Sequence, residues 1–189
     1  MYDFVRGAVV SRAAGHVVLD AGGVGYSFSV STSTLQRTPA DGEATLYAHL
    51  LFRDDRAELY GFSDQSERHL FRQLLRVAGV GPAAGLALLS EHSPESLATY
   101  IACGEVAQLT RAKGIGKRTA ERILVELRDR LAAAAQTRPA GDVPRGREDA
   151  VLALCSLGLQ RSEAVRRVAA VSEGELATEE IVRLALRPG

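Results

Sequence analysis

One short pattern occurs twice in the middle of the chain, and it constrains the fold more than any other feature. Residues 74–81 (LLRVAGVG) precede an apolar helical stretch, and residues 109–116 (LTRAKGIG) precede another. In each copy a glycine-hydrophobic-glycine turn joins the end of one short helix to the start of the next. The repeat therefore predicts two helix pairs, although one copy alone would be explained equally well by a plain helix break.

The chemistry of these turns favours phosphate as a ligand, as in the helix-hairpin-helix motif that they resemble. Glycine permits positive φ and lets a ligand approach the backbone closely. The amides at the start of the next helix lack an intrahelical acceptor and lie at the positive end of its dipole. We expect the central hydrophobic residue of each turn to pack into the core. The expected DNA contacts in the two turns are Gly79, Val80, Gly81, Gly114, Ile115 and Gly116.

Basic side chains cluster only around the second turn. The chain carries 23 Lys and Arg against 23 Asp and Glu, and such a balance does not by itself indicate a nucleic-acid partner. Within residues 108–122, however, the basic side chains face a single acid, Glu121. We expect Lys117, Arg118 and Arg122 to contact phosphates, which fixes position on DNA without reading bases. The sequence holds no GxxxxGK[ST] segment, so we expect no ATPase activity and no cofactor or metal.

The spacing of apolar residues divides the chain into sections, and the fold class is multidomain with separate β and all-α parts. In residues 1–63, short runs of β-branched or alternating apolar residues indicate about five strands. Such a section predicts a small barrel or a sandwich, with the OB-fold β-barrel as one candidate. Residues 64–135 have helical spacing and hold the repeat. Residues 136–147 (QTRPAGDVPRGR) read as a flexible linker, and residues 148–189 as three short helices.

Local signals mark several helix ends. Asp64 followed by Glu67 has the form of a capping box. Gly158 is expected to end one helix of the C-terminal section, and Ser162 and Thr178 are expected to cap two more.

The cysteines and the apolar runs bear on the compartment. Cys103 and Cys155 lie far apart without a CxxC pair, so each is expected to be a buried, reduced thiol. Neither a signal peptide nor an apolar run long enough for a membrane span is evident. These features favour a cytoplasmic protein.

Several strings of residues resemble the RuvA family. They are GGVGY at 22–26, RDDRAELYGF at 53–62, ERHLF at 67–71, GVGP at 79–82 and GIGKRTAERILVEL at 114–127. The match runs through the strand and hairpin sections, whereas the linker and the C-terminal section match mainly in pattern.

The resemblance implies a role in homologous recombination and DNA repair. In that family an OB-fold and a tandem-hairpin domain build a homotetramer whose positive face holds an open four-way (Holliday) junction. A mobile third domain binds a RuvB-type AAA+ ATPase ring, and a RuvC-type resolvase and a second tetramer are further implied partners. Leu159 stands where an aromatic residue is frequent. The residues expected to bind the motor are Leu154, Leu157, Leu159 and Leu186.

The resemblance also gives Asp54 and Asp55 a role as an acidic pin at the junction centre. Like charge there would repel phosphates and steer strands into the arms, within a screening length of about 10 Å. Taken alone, the pair is more typical of an ordinary hairpin turn, and it is weak support for a metal-dependent nuclease.

A departure from the family occurs at Ala83 and Ala84, where lysine is frequent, so the first hairpin is expected to rely on backbone amides.

Two other functions compete with this interpretation. A hairpin-containing DNA glycosylase or nuclease would need a catalytic aspartate, and only Asp129 and Asp142 follow the second hairpin closely. A single-strand-binding OB module would stack bases on aromatic side chains. The aromatic residues of the strands alternate in a way that suits a core better; they are Tyr26, Phe28, Tyr47, Phe52, Tyr60 and Phe62.

Overall fold

The computed structural model describes residues 2–53, 56–136, 146–171 and 178–186. Asp54, Asp55 and most of the predicted linker lie outside these residues. Among the described residues, no helix is long and apolar enough to cross a membrane. The elements in chain order are β1 Phe4–Ala13, β2 His16–Ala21, β3 Val24–Val30, α1 Thr32–Arg37, β4 Glu43–Arg53, β5 Arg56–Phe62, α2 Gln65–Leu74, α3 Pro82–Glu91, α4 Pro94–Cys103, α5 Val106–Leu109, α6 Lys117–Gln136, α7 Gly146–Ser156, α8 Arg161–Ala170 and α9 Thr178–Ala185.

The strands close into a barrel in the order β1-β2-β3-β5-β4. β1 is antiparallel to both β2 and β4, which closes the ring, and β3 pairs with β5 in parallel. Because successive side chains of a strand point to opposite faces, every second residue lies inside, and Val17, Leu19 and Phe28 are fully buried. The prediction of an OB-fold barrel is confirmed over the sandwich alternative.

Helix α1, which the sequence analysis did not predict, is joined to α2 through a buried carboxylate. Glu67 is 1% exposed. Its carboxylate accepts hydrogen bonds from the hydroxyls of Ser31 at 2.5 Å and Thr34 at 2.6 Å. The hydroxyls of Ser33 and Ser63 add longer bonds of 3.3 and 3.1 Å. Hydroxyl donors thus satisfy a carboxylate that burial would otherwise penalise.

This cluster changes the predicted capping box at the start of α2. Asp64 is the N-cap and accepts a hydrogen bond from the Glu67 amide at 2.8 Å, as predicted. The Glu67 carboxylate, however, accepts from the amide of Ser63 at 3.2 Å and from the hydroxyls around α1, in place of the reciprocal bond to the N-cap amide. Only half of the capping box is therefore present.

Helices α2 and α3 pack around Phe71, which also contacts the barrel. The Phe71 ring centroid lies 4.9 Å from that of Phe62 and 5.3 Å from that of Tyr60. A Cβ added to Gly85 of α3 would lie 3.0 Å from the same ring. Glycine at this position therefore lets α3 approach α2 closely, and the first hairpin is held by a packed core.

The C-terminal section contains the three predicted helices α7, α8 and α9. Gly158 has φ +100°, and its amide donates to the carbonyl of Cys155 at 2.9 Å, so the predicted end of α7 is confirmed. α9 begins at Thr178. The predicted cap of α8 is wrong: Gln160, without a side-chain hydrogen bond, is the N-cap, and Ser162 lies inside the first turn.

The chain forms two compact units. One comprises residues 1–94 with 111–115, and the other comprises 95–110 with 116–189. The helical section predicted at 64–135 therefore contributes to both units, while the predicted boundaries at 63, 135 and 147 stay predictions. Within the second unit, Cys103 of α4 and Cys155 of α7 form a disulfide with Cα atoms 5.1 Å apart. The prediction of two separate reduced thiols is wrong, because the fold brings together residues 52 positions apart.

Candidate nucleic-acid interface

The first hairpin joins α2 to α3 through a tightly bonded turn. Beyond α2, the amide of Val77 donates to the Leu74 carbonyl at 3.0 Å, and the amide of Val80 donates to the Val77 carbonyl at 3.0 Å. Gly79 has φ +90°, which reverses the chain. Gly81 is then the N-cap of α3, in extended conformation.

The second hairpin repeats this geometry between α5 and α6. Gly114 has φ +86°, and the amide of Ile115 donates to the Ala112 carbonyl at 3.1 Å. The carbonyl of Gly116 accepts from the amide of Ala120 at 2.9 Å, as that of Gly81 does from Gly85 in the first hairpin. The repeat in the sequence is therefore a repeat in structure.

The central residue of each turn packs inward. Val80 and Ile115 are each 5% exposed, which confirms that both act as hydrophobic plugs. Their side chains are not available to a ligand, so only their backbone could contact DNA.

The two glycines of each turn differ in what the fold requires of them. Gly79 and Gly114 adopt positive φ, where a side chain is strained. Gly81 and Gly116 do not, and a Cβ built on either would have no atom within 4 Å. The second glycine of each turn is thus not needed by the fold, and it leaves a stretch of backbone open to a close approach from outside.

The helix starts differ in charge and in amide donors. α3 begins with Pro82, which has no N–H, and continues with Ala83 and Ala84. α6 begins with Lys117 and Arg118, so the second hairpin offers one more amide and two cationic side chains. This difference supports the expectation that the first hairpin depends on backbone donors.

The predicted cationic side chains lie on the first turns of α6. Lys117 is 80% exposed, and its Nζ lies 4.0 Å from Glu121 Oε1, a long and solvent-screened pair. Arg118 and Arg122 are exposed and, being four residues apart, share one face of the helix. Arg111 instead pairs with Glu91 at 2.9 Å. Lys117 and Arg118 are therefore the best-placed cations for a phosphate.

One candidate escaped the sequence analysis. Arg76 is exposed and occupies, in the first hairpin, the position that Arg111 occupies in the second. Alignment of the two copies of the repeat would have identified it. Arg76 gives the first hairpin a cation although Ala83 and Ala84 supply none.

The acidic turn itself lies outside the described residues, but its flanks are clear. β4 and β5 pair up to Arg53 and Arg56, which face each other across the two strands. Phe52, one position before them, is 72% exposed. Among the described residues, no group of three or more His, Cys, Asp or Glu could hold a metal ion.

The aromatic side chains of the barrel are mostly internal. Phe28 and Phe62 are fully buried and Tyr60 is 6% exposed, as expected for core positions rather than for a base-stacking surface. Tyr26 and Tyr47 are only partly buried, and Phe52 is exposed, contrary to that expectation.

The predicted motor-binding residues fall into two groups. Leu157 is 64% exposed and Leu186 is 41% exposed. Leu159 is partly buried against the core of the α7–α9 bundle, and Leu154 is fully buried in it. Leu154 therefore cannot offer its side chain to a partner, whereas the exposed Val165, which the sequence analysis did not single out, can.

Comparisons with known proteins cover nearly the whole chain. Family models match residues 1–61 (RuvA N terminal domain), 71–129 (SAM-like Helix-hairpin-helix tandem) and 145–187 (RuvA, C-terminal domain). Proteins named Holliday junction branch migration complex subunit RuvA are 42% identical in Stutzerimonas stutzeri, 41% in Pseudomonas paraeruginosa and 39% in Pseudomonas fluorescens. Each alignment covers 97% of this chain, and 96%, 96% and 97% of the relative, respectively. The chain, with its OB-fold barrel, repeated hairpin and C-terminal helices, belongs to the RuvA family.

Proposed function

We propose that this protein is a non-catalytic subunit that binds four-way DNA junctions without regard to sequence and recruits an ATP-driven motor for branch migration. The observation that carries the proposal is the repeated hairpin, in which the fold leaves the second glycine of each turn open. Relatives with the same arrangement are named as subunits of the Holliday junction branch migration complex.

The hairpins would hold DNA by its phosphates. The amides at the starts of α3 and α6 lack an intrahelical acceptor and lie at the positive end of each helix dipole. An anion bound there would be stabilised both by the hydrogen bonds and by the dipole. Lys117 and Arg118 add charge-assisted contacts beside the second turn. All these donors address phosphate oxygens, which every sequence presents alike.

A separate element would give preference for the junction. Asp54 and Asp55 stand in the chain between the ends of β4 and β5, and their carboxylates would repel phosphates at the crossover. Strands that meet this turn are pushed apart and toward the arms. The repulsion needs no metal and no bond cleavage.

The C-terminal helices would recruit the motor, a RuvB-type AAA+ ring. Leu157, Val165 and Leu186 are exposed apolar side chains on the α7–α9 bundle, the kind of surface that marks a protein interface. The sequence has no phosphate-binding loop of its own, so ATP hydrolysis is assigned to the partner. A homotetramer in the cytoplasm, with a RuvC-type resolvase as a further partner, completes the proposal.

A gel-shift comparison tests this function directly. Purified protein is titrated against a four-way junction, a duplex and a single strand of matched sequence at fixed salt, since phosphate binding depends on salt. We expect the tightest binding to the junction and no cleavage with or without Mg²⁺. Preference for the single strand would favour an OB-type stacking module. Removal of a base or cutting of a strand would indicate a glycosylase or nuclease and overturn the proposal.

A further inference from the structure

Helix α4 carries a contact surface for the C-terminal bundle. Ala102, near its end, is 5% exposed and belongs to the same buried cluster as Val151 of α7 and Val168 of α8. Two residues earlier on α4, the ring of Tyr100 lies beneath the guanidinium of Arg161, with Cζ 5.0 Å from the ring centroid. An apolar residue and a cation–π pair are therefore among the contacts between α4 and the bundle.

This contact is incompletely filled. A cavity of about 270 Å³ lies between the two surfaces, lined on the α4 side by Ser96 and Thr99 and on the bundle side by Arg147 and Arg161 among others. Polar side chains form part of the lining of this cavity, so it can hold water. The arrangement is that of two surfaces that can part and be hydrated, rather than that of a permanent core.

A covalent bond nevertheless holds the two surfaces together. Cys103 is the last residue of α4, and its disulfide partner Cys155 lies near the end of α7. Cys155 is fully buried, whereas Cys103 is only partly buried. Because Cys103 is the less buried of the two residues, we expect a reagent from solvent to reach the bond from the Cys103 side.

We propose that α4 is a docking surface for the protein's own C-terminal bundle and that the Cys103–Cys155 pair is a reversible redox latch on it. In the oxidised form the bundle is fastened to α4. In the reduced form noncovalent contacts alone hold the bundle to α4, and the bundle moves between docked and undocked positions.

The chemistry requires a peroxide as oxidant and a dithiol as reductant. The Cys103 thiolate attacks hydrogen peroxide, which forms a sulfenic acid and releases hydroxide. The Cys155 thiol then attacks the sulfenic sulfur, so that the disulfide forms and water leaves; overall, two thiols and one peroxide give one disulfide and two waters. In the reverse direction a dithiol attacks the Cys103 sulfur, Cys155 leaves as a thiolate, and the reductant closes to its own disulfide.

The consequence for branch migration rests on the proposed function. Leu157 and Leu186 stay exposed in the fastened form, whereas Val165 lines the cavity beside α4. The latch would therefore leave most of the proposed motor-binding surface open. It would instead restrict the positions that this surface can reach while the rest of the chain holds DNA. We therefore expect oxidation to lower stimulation of the motor ATPase and to leave junction binding unchanged.

Hydrogen exchange on the full-length protein tests the latch. Wild type is treated with hydrogen peroxide or with dithiothreitol, and the peptide covering α4 is followed together with a non-reduced digest. We expect the linked Cys103–Cys155 peptide only after peroxide, and exchange in α4 about tenfold slower in that form. Cys103→Ser is the first control, because this partly exposed residue tolerates serine better than the buried Cys155 does; its α4 should exchange at the fast rate in both conditions.

A second variant keeps the test decisive if Cys103→Ser disturbs the end of α4. Arg161→Gln retains both cysteines but removes the cation–π contact, so exchange in α4 should be slow when oxidised and faster than wild type when reduced. Equal exchange of α4 in oxidised and reduced wild type, or absence of the linked peptide after peroxide, overturns the latch. ATPase stimulation is measured separately: failure of junction binding in every form would refute the proposed function while leaving the exchange result intact.

Discussion

At the scale of single residues, the hairpins show that similar glycines can have different reasons to be present. Gly79 and Gly114 adopt backbone angles that strain other residues, whereas Gly81 and Gly116 have ordinary angles and open space where a side chain would stand. The fold thus explains the first glycine of each turn. The second glycine of each turn meets no such strain, and the close approach of a ligand is the reason we propose for it.

Replacing Gly81 therefore separates binding from stability. Gly81→Val should lower the free energy of unfolding by no more than about 1 kcal/mol, because valine is a poorer N-cap than glycine but meets no clash at this position. It should weaken junction binding by about tenfold, which is 1.4 kcal/mol, because the added methyl groups keep a phosphate away from the amides. Gly79→Val is the matched control and should cost about 1–2 kcal/mol of stability through its positive φ. Equal loss of melting temperature in both variants would mean that Gly81 is structural.

The cations at the start of α6 make a prediction about salt. Lys117→Ala combined with Arg118→Ala should weaken junction binding and lower the slope of log K against log salt by about 2, the loss expected for two phosphate contacts. Arg128→Ala, a change of an exposed cation later in the same helix, should leave the slope nearly unchanged. An unaltered slope in the folded double variant would remove Lys117 and Arg118 from the DNA surface.

At the scale of an element, β4 and β5 form a hairpin whose described ends flank the acidic pair in the chain. Its strands are paired up to Arg53 and Arg56, and the neighbouring Phe52 is largely exposed. A regular two-strand ladder therefore reaches the residues on either side of the acidic pair.

Neutralising that turn tests repulsion. Asp54→Asn with Asp55→Asn keeps the turn-forming side-chain shape and removes two negative charges. Binding to the junction should stay equal or tighten, and binding to plain duplex should tighten, because a repulsive contact with phosphate has gone. Asp41→Asn with Glu43→Gln removes the same charge from another exposed part of the barrel and should not change the ratio of junction to duplex affinity. Weaker junction binding in the first variant would refute repulsion.

At the scale of the whole molecule, DNA binding and motor binding are assigned to different parts of the chain. Both hairpins precede the predicted linker, and the exposed leucines of the α7–α9 bundle follow it. Removal of the residues that follow α6 should therefore abolish stimulation of the motor and leave junction binding intact.

The truncation is best made after Gln136, where α6 ends. Deletion of residues 137–189, combined with Cys103→Ser to avoid an unpaired thiol, should leave junction affinity within about twofold of wild type, a difference of only about 0.4 kcal/mol. Stimulation of the motor ATPase should be lost. Intact binding is checked by gel shift and folding by circular dichroism. Loss of junction binding in a folded truncation would contradict the division of labour.

Much of this architecture could be predicted because its signals are local. The alternation along β3, the helix start at Asp64 and the two glycine turns are each written in a few adjacent residues, and the structure has all of them. The hydrophobic plugs of the hairpins were predictable for the same reason. The sequence pattern predicts an element correctly wherever one buried face or one turn determines which residues can stand there.

The remaining features depend on contacts between distant residues. The barrel is distinguished from a sandwich by the pairing of β1 with β4, which no local pattern reports. In the sequence, Leu154 cannot be distinguished from the other apolar residues of α7, but in the structure it packs inward, because α8 and α9 cover it. The carboxylate of Glu67 is drawn from its capping role by hydroxyls more than thirty positions away. Cys103 and Cys155, without a motif and 52 positions apart, become partners only once α7 rests on α4, since bond formation requires a spatial proximity that sequence spacing does not encode.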